Sequence, residues 1–183
     1  VSPQALGQVK GITFRDPQGR AVQTPPRERF DDLSVLPSPY LTGLFDLLLQ
    51  QHPRIQWNAT IETNRGCPYQ CTYCDWGTAT LSKVRTFPLD TVLDTLTWCA
   101  ERGIDYIEVA DANFGAFKER DPKIVDHLIA LKESCGFPRV LAPCWAKNPA
   151  PHVVEMMRKL AVSGLARGLT LSMQSMSPTT LAA

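Results

Sequence analysis

The sequence predicts an α/β fold built on parallel strands, and three observations carry that reading. From residue 55 onward strand-like runs alternate with helical periods, the helical segments present apolar faces, and polar residues follow each strand. A strand that returns to a parallel neighbour through a helix crosses over right-handed, so the repeats form one sheet with the helices covering its outside. Polar loops occur in any fold, and the alternation alone leaves open whether the sheet closes into a barrel.

The elements follow in order. Val9 to Phe14 alternates apolar and polar residues, Asp16-Pro17-Gln18-Gly19-Arg20 is a turn sequence, and Ala21 to Gln23 completes a short hairpin. Pro25, Pro26, Pro37 and Pro39 exclude a continuous helix from Thr24 to Pro39, which is expected to be an extended linker. Leu44, Phe45, Leu47, Leu48 and Leu49 predict a short helix within Leu41 to Gln51, broken by Pro53. The first strand is expected at Trp57 to Thr63, then a cysteine-bearing loop, then a helix from Pro88 to Arg102 that buries Val92, Leu93, Leu96 and Cys99. Ile104 to Ala110 is the second strand, and Asp121 to Ser134 a helix facing inward through Ile124, Val125, Leu128 and Leu131. Arg139 to Trp145, Pro149 to Ser163 and Gly168 to Met173 continue as strand, helix and strand, and Ser177 to Leu181 starts a further helix. The segments after the four strands carry the cysteines, Asp111 and Asn113, Lys147 and Asn148, and Gln174 and Ser175; in a closed parallel barrel these converge on one mouth.

Composition removes several classes of function. Of 183 residues, 44% are hydrophobic, enough for a sizeable core, and 19 basic against 18 acidic side chains leave a net charge of +1. That balance gives no broad basic surface, so neither nucleic acid nor a membrane is expected as a partner. Apolar runs such as Leu44 to Leu49 fall far short of the roughly 20 residues of a membrane span, and no signal-peptide pattern opens the chain, which points to the cytoplasm. A start at Val1 and a stop at Ala183, just after a helix start, lead us to expect a fragment at both ends.

The chemistry concentrates between residues 62 and 77. Three of the 6 cysteines, Cys67, Cys71 and Cys74, crowd into one loop. In a reducing compartment such crowding indicates a metal rather than disulfides. Thiolates favour zinc, copper(I) or iron–sulfur clusters. Structural zinc sites close with four ligands, and the nearest candidates for a fourth, His52 and Cys99, lie well outside the loop. An electron-transfer cubane also needs a fourth thiolate. A site short of one ligand leaves a coordination position for substrate or a small molecule, as at catalytic zinc.

The three-then-two spacing, with Tyr73 before the last cysteine, resembles the cluster motif of the radical S-adenosylmethionine (SAM) enzymes. Leu36 to Asp46, Glu62 to Gly77 and Ala110 to Gly115 are similar to the subgroup with an N-terminal cobalamin-binding domain, and the likeness spans nearly the whole chain. The resemblance implies a partial TIM-type (β/α) radical SAM barrel, preceded by the hairpin and linker. It also implies a [4Fe-4S] cluster held by Cys67, Cys71 and Cys74, SAM on the open iron, and reductive cleavage of SAM to a 5′-deoxyadenosyl radical. Cobalamin-dependent methylation, or a related modification, of an unactivated carbon in a small molecule would follow, with flavodoxin or ferredoxin as one-electron donor. By the same resemblance Tyr73 lies against the adenine, Asp111 and Asn113 face the SAM amino group, and Ser172 and Gln174 contact SAM or substrate. Residues 1–30 are then the remnant of a cobalamin domain, 31–54 linker and short helix, and 55–183 an incomplete radical SAM core. The Asp-x-His-x-x-Gly motif that supplies the lower cobalt ligand is absent, and His52, His127 and His152 lack its context, so cobalamin is expected only of a complete parent.

Other readings stand beside these. Asp111 and Asn113 also suit a turn cap, Lys147 a solvated strand end, and Trp76 simple packing. Cys99, Cys135 and Cys144 lack paired spacing and are expected as buried small hydrophobes. Alternative functions are a non-catalytic zinc-stapled module and an inactive remnant that only holds the cluster.

Overall fold

A computed structural model describes residues 3–69, 74, 83–147, 150–166, 168 and 175–181. The chain divides into two compact units, Val1–Asp31 and Asp32–Ala183. In the first, a short helix α1 (Pro3–Gly7) precedes the expected hairpin of β1 (Thr13–Arg15) and β2 (Ala21–Gln23), which pair antiparallel. Its turn is organised by Asp16, whose Oδ1 accepts from the backbone N–H groups of Gln18 and Arg20, both at 2.9 Å.

In the second unit a 3-10 turn (Leu33–Val35) and α2 (Asp46–Gln51) lead to β3 (Asn58–Ile61). The cysteine segment is flanked by β4 (Asn64–Arg65) and β5 (Arg85–Thr86), then come α3 (Leu89–Glu101), β6 (Tyr106–Phe114), α4 (Asp121–Cys135), β7 (Val140–Trp145), α5 (Pro151–Val162) and α6 (Pro178–Leu181). The segment expected as a linker is packed: Leu33 is buried, Tyr40 packs at a tilt against Phe45 and Trp98, and its hydroxyl donates to the Thr60 carbonyl at 2.7 Å. Its prolines prevent a helix without preventing burial.

The sheet order is β3-β6-β7, all parallel, so the expected strand–helix alternation and crossovers are present. Cross-strand rows assign the faces. Ala59, Ile107 and Leu141 are register partners on the buried face, while Thr60, Glu108 and Ala142 form the next row on the other. The buried row packs under Val92, Leu96 and Cys99 of α3, Ile124, Val125 and Leu128 of α4, and Val153, Met156 and Leu160 of α5. Burying such residues is worth about 1.5–3 kcal/mol per large side chain, which makes this layer the main source of stability.

Three differences from expectation matter. The second strand starts at Tyr106, because Ile104 N–H is drawn to the Cys99 carbonyl at the end of α3, and runs on to Phe114. The described residues form an open three-stranded sheet and not a closed barrel; of the expected fourth strand, residues 169–173 lie outside the described residues. Cys135 and Cys144 are exposed, one ending α4 and the other on the uncovered sheet face, while Cys99 is buried as expected. Among the described residues no helix is long and apolar enough to cross a membrane.

Candidate functional site

The cysteine segment leaves and rejoins the fold through a closed neck. β4 and β5 pair antiparallel, Asn64 with Thr86 and Arg65 with Arg85, and Phe87 N–H donates to the Thr63 carbonyl at 3.0 Å. The two chain segments that flank residues 66–84 are therefore paired in one two-stranded ladder. Gly66, at its exit, adopts φ 108°, and a Cβ there would sit 3.0 Å from the Lys83 carbonyl oxygen and 3.2 Å from Val84 Cα. Only glycine suits both the dihedral and the gap. Gly66→Ala is accordingly expected to destabilise the chain by about 1–3 kcal/mol, read as a lower denaturant midpoint at unchanged slope.

A buried polar network bolts this neck to the sheet. Asp111 is 1% exposed, and its carboxylate accepts from Thr63 N–H at 2.6 Å, Asn64 N–H at 3.1 Å and Asn64 Nδ2 at 2.7 Å, besides a short bond from the Thr63 hydroxyl. Arg120 donates from Nη2 to the Thr63 and Phe87 carbonyls, both at 3.0 Å, and from Nη1 to the Thr63 hydroxyl at 3.1 Å, thereby tying together the two ends of the neck. Asp121 accepts from Gly115 N–H at 2.9 Å and Phe117 N–H at 3.1 Å and lies 3.4 Å from Arg120 Nη1. Burial pushes both carboxyls above the usual Asp range; hydrogen bonds from Thr63 and Asn64 oppose it at Asp111, and those from Phe117 and Gly115, with the Arg120 charge, at Asp121.

Asp111 and Asn113 owe their positions to an irregularity in β6. The register passes from Val109↔Pro143 directly to Phe114↔Trp145, so the intervening residues of β6 bulge out of the ladder towards the neck. There Asn113, 2% exposed, donates from Nδ2 to Cys67 Sγ at 3.1 Å, while its Oδ1 is buried with no hydrogen-bond partner among the described residues. Cys67 is itself 6% exposed.

Cys67 and Cys74 line a single cleft of about 480 Å³, together with Glu108, Ala110, Asp111 and Ala112 of β6 and with Ala142, Cys144 and Lys147 on or just after β7. The cleft runs along the uncovered sheet face from Glu108 and Ala142 to the C-terminal ends of the parallel strands, where α/β folds place their ligands. Of the sequence-derived site residues, the structure thus brings together Cys67, Cys74, Asp111 and Asn113. Cys71, Tyr73, Ser172 and Gln174 lie outside the described residues. His127 Nε2 meets the Thr97 hydroxyl at 2.9 Å and His152 Nε2 the Gly115 carbonyl at 2.8 Å, both structural contacts.

Sequence reasoning missed Thr63, Asn64, Arg120 and Asp121. Asp121-Pro122 at a helix start was a visible capping signal. Nothing local marks Arg120, whose partners lie 33 and 57 residues away. Cys99 lies in the core, where burial, only partly opposed by Arg102, pushes its thiol up to about 12 and keeps it an inert group.

No family model matches the chain. It is 36% identical over 170 residues to the 2-(S-pantetheinyl)-carbapenam-3-carboxylate methyltransferase of Streptantibioticus cattleyicolor, an alignment covering 92% of this chain and 25% of that protein. It is likewise 36% identical over 169 residues to the cobalamin-dependent radical SAM methyltransferase TokK of Streptomyces tokunonensis, covering 91% and 24%. The hopanoid C-2 methylase of Rhodopseudomonas palustris is 31% identical over 106 residues, 55% of this chain and 20% of that one. The relatives are named as a methyltransferase, a cobalamin-dependent radical SAM methyltransferase and a methylase, and the chain spans about a quarter of the length of the first two. Among solved structures, the radical S-adenosylmethionine methyltransferase TsrM from Kitasatospora setae superposes with a TM-score of 0.57 at 18% identity, over 96% of this chain and 34% of that one. That structure holds tryptophan substrate and the SAM analogue aza-SAM, and a second one, at TM-score 0.56, 17% identity and 96% and 35% coverage, holds cobalamin and a [4Fe-4S] cluster. At this identity the likeness concerns the fold.

Proposed function

We propose that residues 55–183 form the cluster-bearing part of a cobalamin-dependent radical SAM methyltransferase, the activity named for TokK, which is 36% identical to this chain. Cys67, Cys71 and Cys74 would hold a [4Fe-4S] cluster and leave one iron open to SAM, whose reductive cleavage supplies a 5′-deoxyadenosyl radical. The observation that carries this reading is the cleft itself: Cys67 and Cys74 line it at the C-terminal ends of parallel strands, and an amide N–H is directed at the Cys67 sulfur. Soft thiolate donors backed by a hydrogen bond to sulfur suit an iron–sulfur cluster.

The chain's own residues have definite tasks in this proposal. Asp111 and Arg120 hold the neck so that the thiols keep their place, and the Asn113 Oδ1 without a partner offers an acceptor to an N–H of a bound ligand, as expected for the SAM amino group. Tyr73 would lie against the adenine, with Ser172 and Gln174 near SAM or substrate. Ala110, Ala112 and Ala142 keep the wall small, leaving room for ligand. Residues 1–30 would correspond to the end of a cobalamin-binding domain and 31–54 to the connection; a cytoplasmic location, a partial TIM-type barrel, a small-molecule substrate and an electron donor such as flavodoxin or ferredoxin complete the proposal.

Anaerobic reconstitution of the full chain tests it. About four iron and four sulfide per chain are expected, with 5′-deoxyadenosine released when SAM and a low-potential reductant are added. One zinc and no sulfide would overturn the cluster in favour of a structural staple. An intact cluster that never cleaves SAM would leave a chain that holds the cofactor without turning over.

A further inference from the structure

We infer that Asn113 sets the reduction potential of the cluster through its hydrogen bond to the Cys67 sulfur. The inference rests on the cluster reading above and deepens it. A ligating thiolate has no proton to donate, so only the amide nitrogen of Asn113 can face it, and Nδ2 stands 3.1 Å from Sγ. That orientation leaves Oδ1 pointing away, buried and without a partner among the described residues. An amide in a protein interior otherwise turns to satisfy its oxygen, so the sulfur contact fixes the side chain against that cost.

The electrostatic consequence follows from charge. Reducing the cluster adds an electron that spreads onto its thiolate sulfurs, and a positive N–H dipole directed at one of them stabilises the reduced form. With both Asn113 and Cys67 almost wholly buried, water does not screen the dipole. Asn113 therefore raises the potential, easing uptake of the electron that the open iron must pass on. The bulge in β6 makes the contact possible, because it carries this side chain out of the strand ladder towards the neck. Asn113 acts here through Cys67, as a positioning and tuning residue.

Asn113→Leu, which keeps the approximate volume and removes the donor, and Asn113→Asp, which replaces the donor by an acceptor, are compared with wild type after anaerobic reconstitution of the full chain. The readouts are iron content, the midpoint potential from an EPR-monitored titration, and the exchangeable-proton coupling of the reduced cluster after transfer to deuterium oxide. We expect iron content near that of wild type, a downward shift of potential in both variants and loss of one exchangeable coupling. Variants loaded as fully as wild type, with the same potential and coupling, overturn the role of Asn113 alone. If neither variant folds, the coupling in wild type decides, and a reduced cluster with no exchangeable proton near sulfur overturns it. A wild-type chain that takes up no iron instead overturns the cluster reading, and this inference with it.

Discussion

Cys67→Ala is expected to take reconstituted iron from about four per chain to a small residue, while the apo-chain stays folded. The reasoning separates two kinds of cysteine. Cys67 is buried against Asn113 at the edge of the cleft, outside the main apolar cluster. Its loss removes one of only three local thiolates, and a cubane held by two is labile. Cys99 is 0% exposed within the core, with its thiol pushed up to about 12. Cys99→Ala should therefore do the opposite, lowering stability by about 1 kcal/mol in the usual range for a small core truncation and leaving iron uptake intact. Cys144 lines the same cleft but is exposed on the open sheet face, so Cys144→Ala should change neither quantity. Iron and sulfide analysis beside a denaturation curve reads all three variants. Equal iron loss in the Cys67 and Cys144 variants would contradict the ligand assignment, and full iron retention in Cys67→Ala would remove the proposal altogether.

The contrast among these cysteines shows how far the sequence reaches. Spacing alone singles out Cys67, Cys71 and Cys74, because a shared metal would impose a local pattern on the chain. Burial of the other three does not follow from composition: Cys99 lies on the inner face of α3, whereas Cys135 falls at the last position of α4 and Cys144 on a sheet face that no described element covers. The order of strands and helices is legible for the same reason as the cysteine motif, since hydrophobic periodicity is a short-range property. The neck is not. β4 and β5 are two residues each, too short to impose a period, and they pair only because Thr63 and Phe87 are brought together from outside. Asp111 was visible as a polar residue at a strand end. That four donors from Thr63 and Asn64 surround it could be learned only from the folded chain.

Arg120→Met should be the most destabilising single change at the site, costing about 3–5 kcal/mol, the usual penalty for removing one partner of a buried ion pair. The guanidinium is 13% exposed and Asp121 fully buried, so the charge left behind is not solvated in its place. The carbonyls of Thr63 and Phe87 lose a shared donor at the same moment, and the neck that β4 and β5 close is freed at both ends. Arg120→Lys should recover part of the loss, since an ammonium restores the charge but cannot span two carbonyls and a hydroxyl as the planar fork does. The pH dependence carries a definite sign. Burial already raises the folded-state pKa of Asp121 above its unfolded value and Arg120 holds it down, so removing Arg120 raises it further. A carboxyl with a raised folded pKa binds more protons folded than unfolded, and its stability contribution is present below the unfolded pKa and lost as pH rises through the folded one. The deficit of Arg120→Met against wild type should therefore be smallest in acid and widen upward through that window; a deficit constant with pH would place the cost in lost carbonyl contacts alone. Trypsin offers a local readout of the same event, because Lys83 is exposed just inside the neck. Cleavage there should accelerate in the variant well before global unfolding, and the iron of a reconstituted sample should leave faster in step with it, which ties the stability of this buried network directly to retention of the cluster.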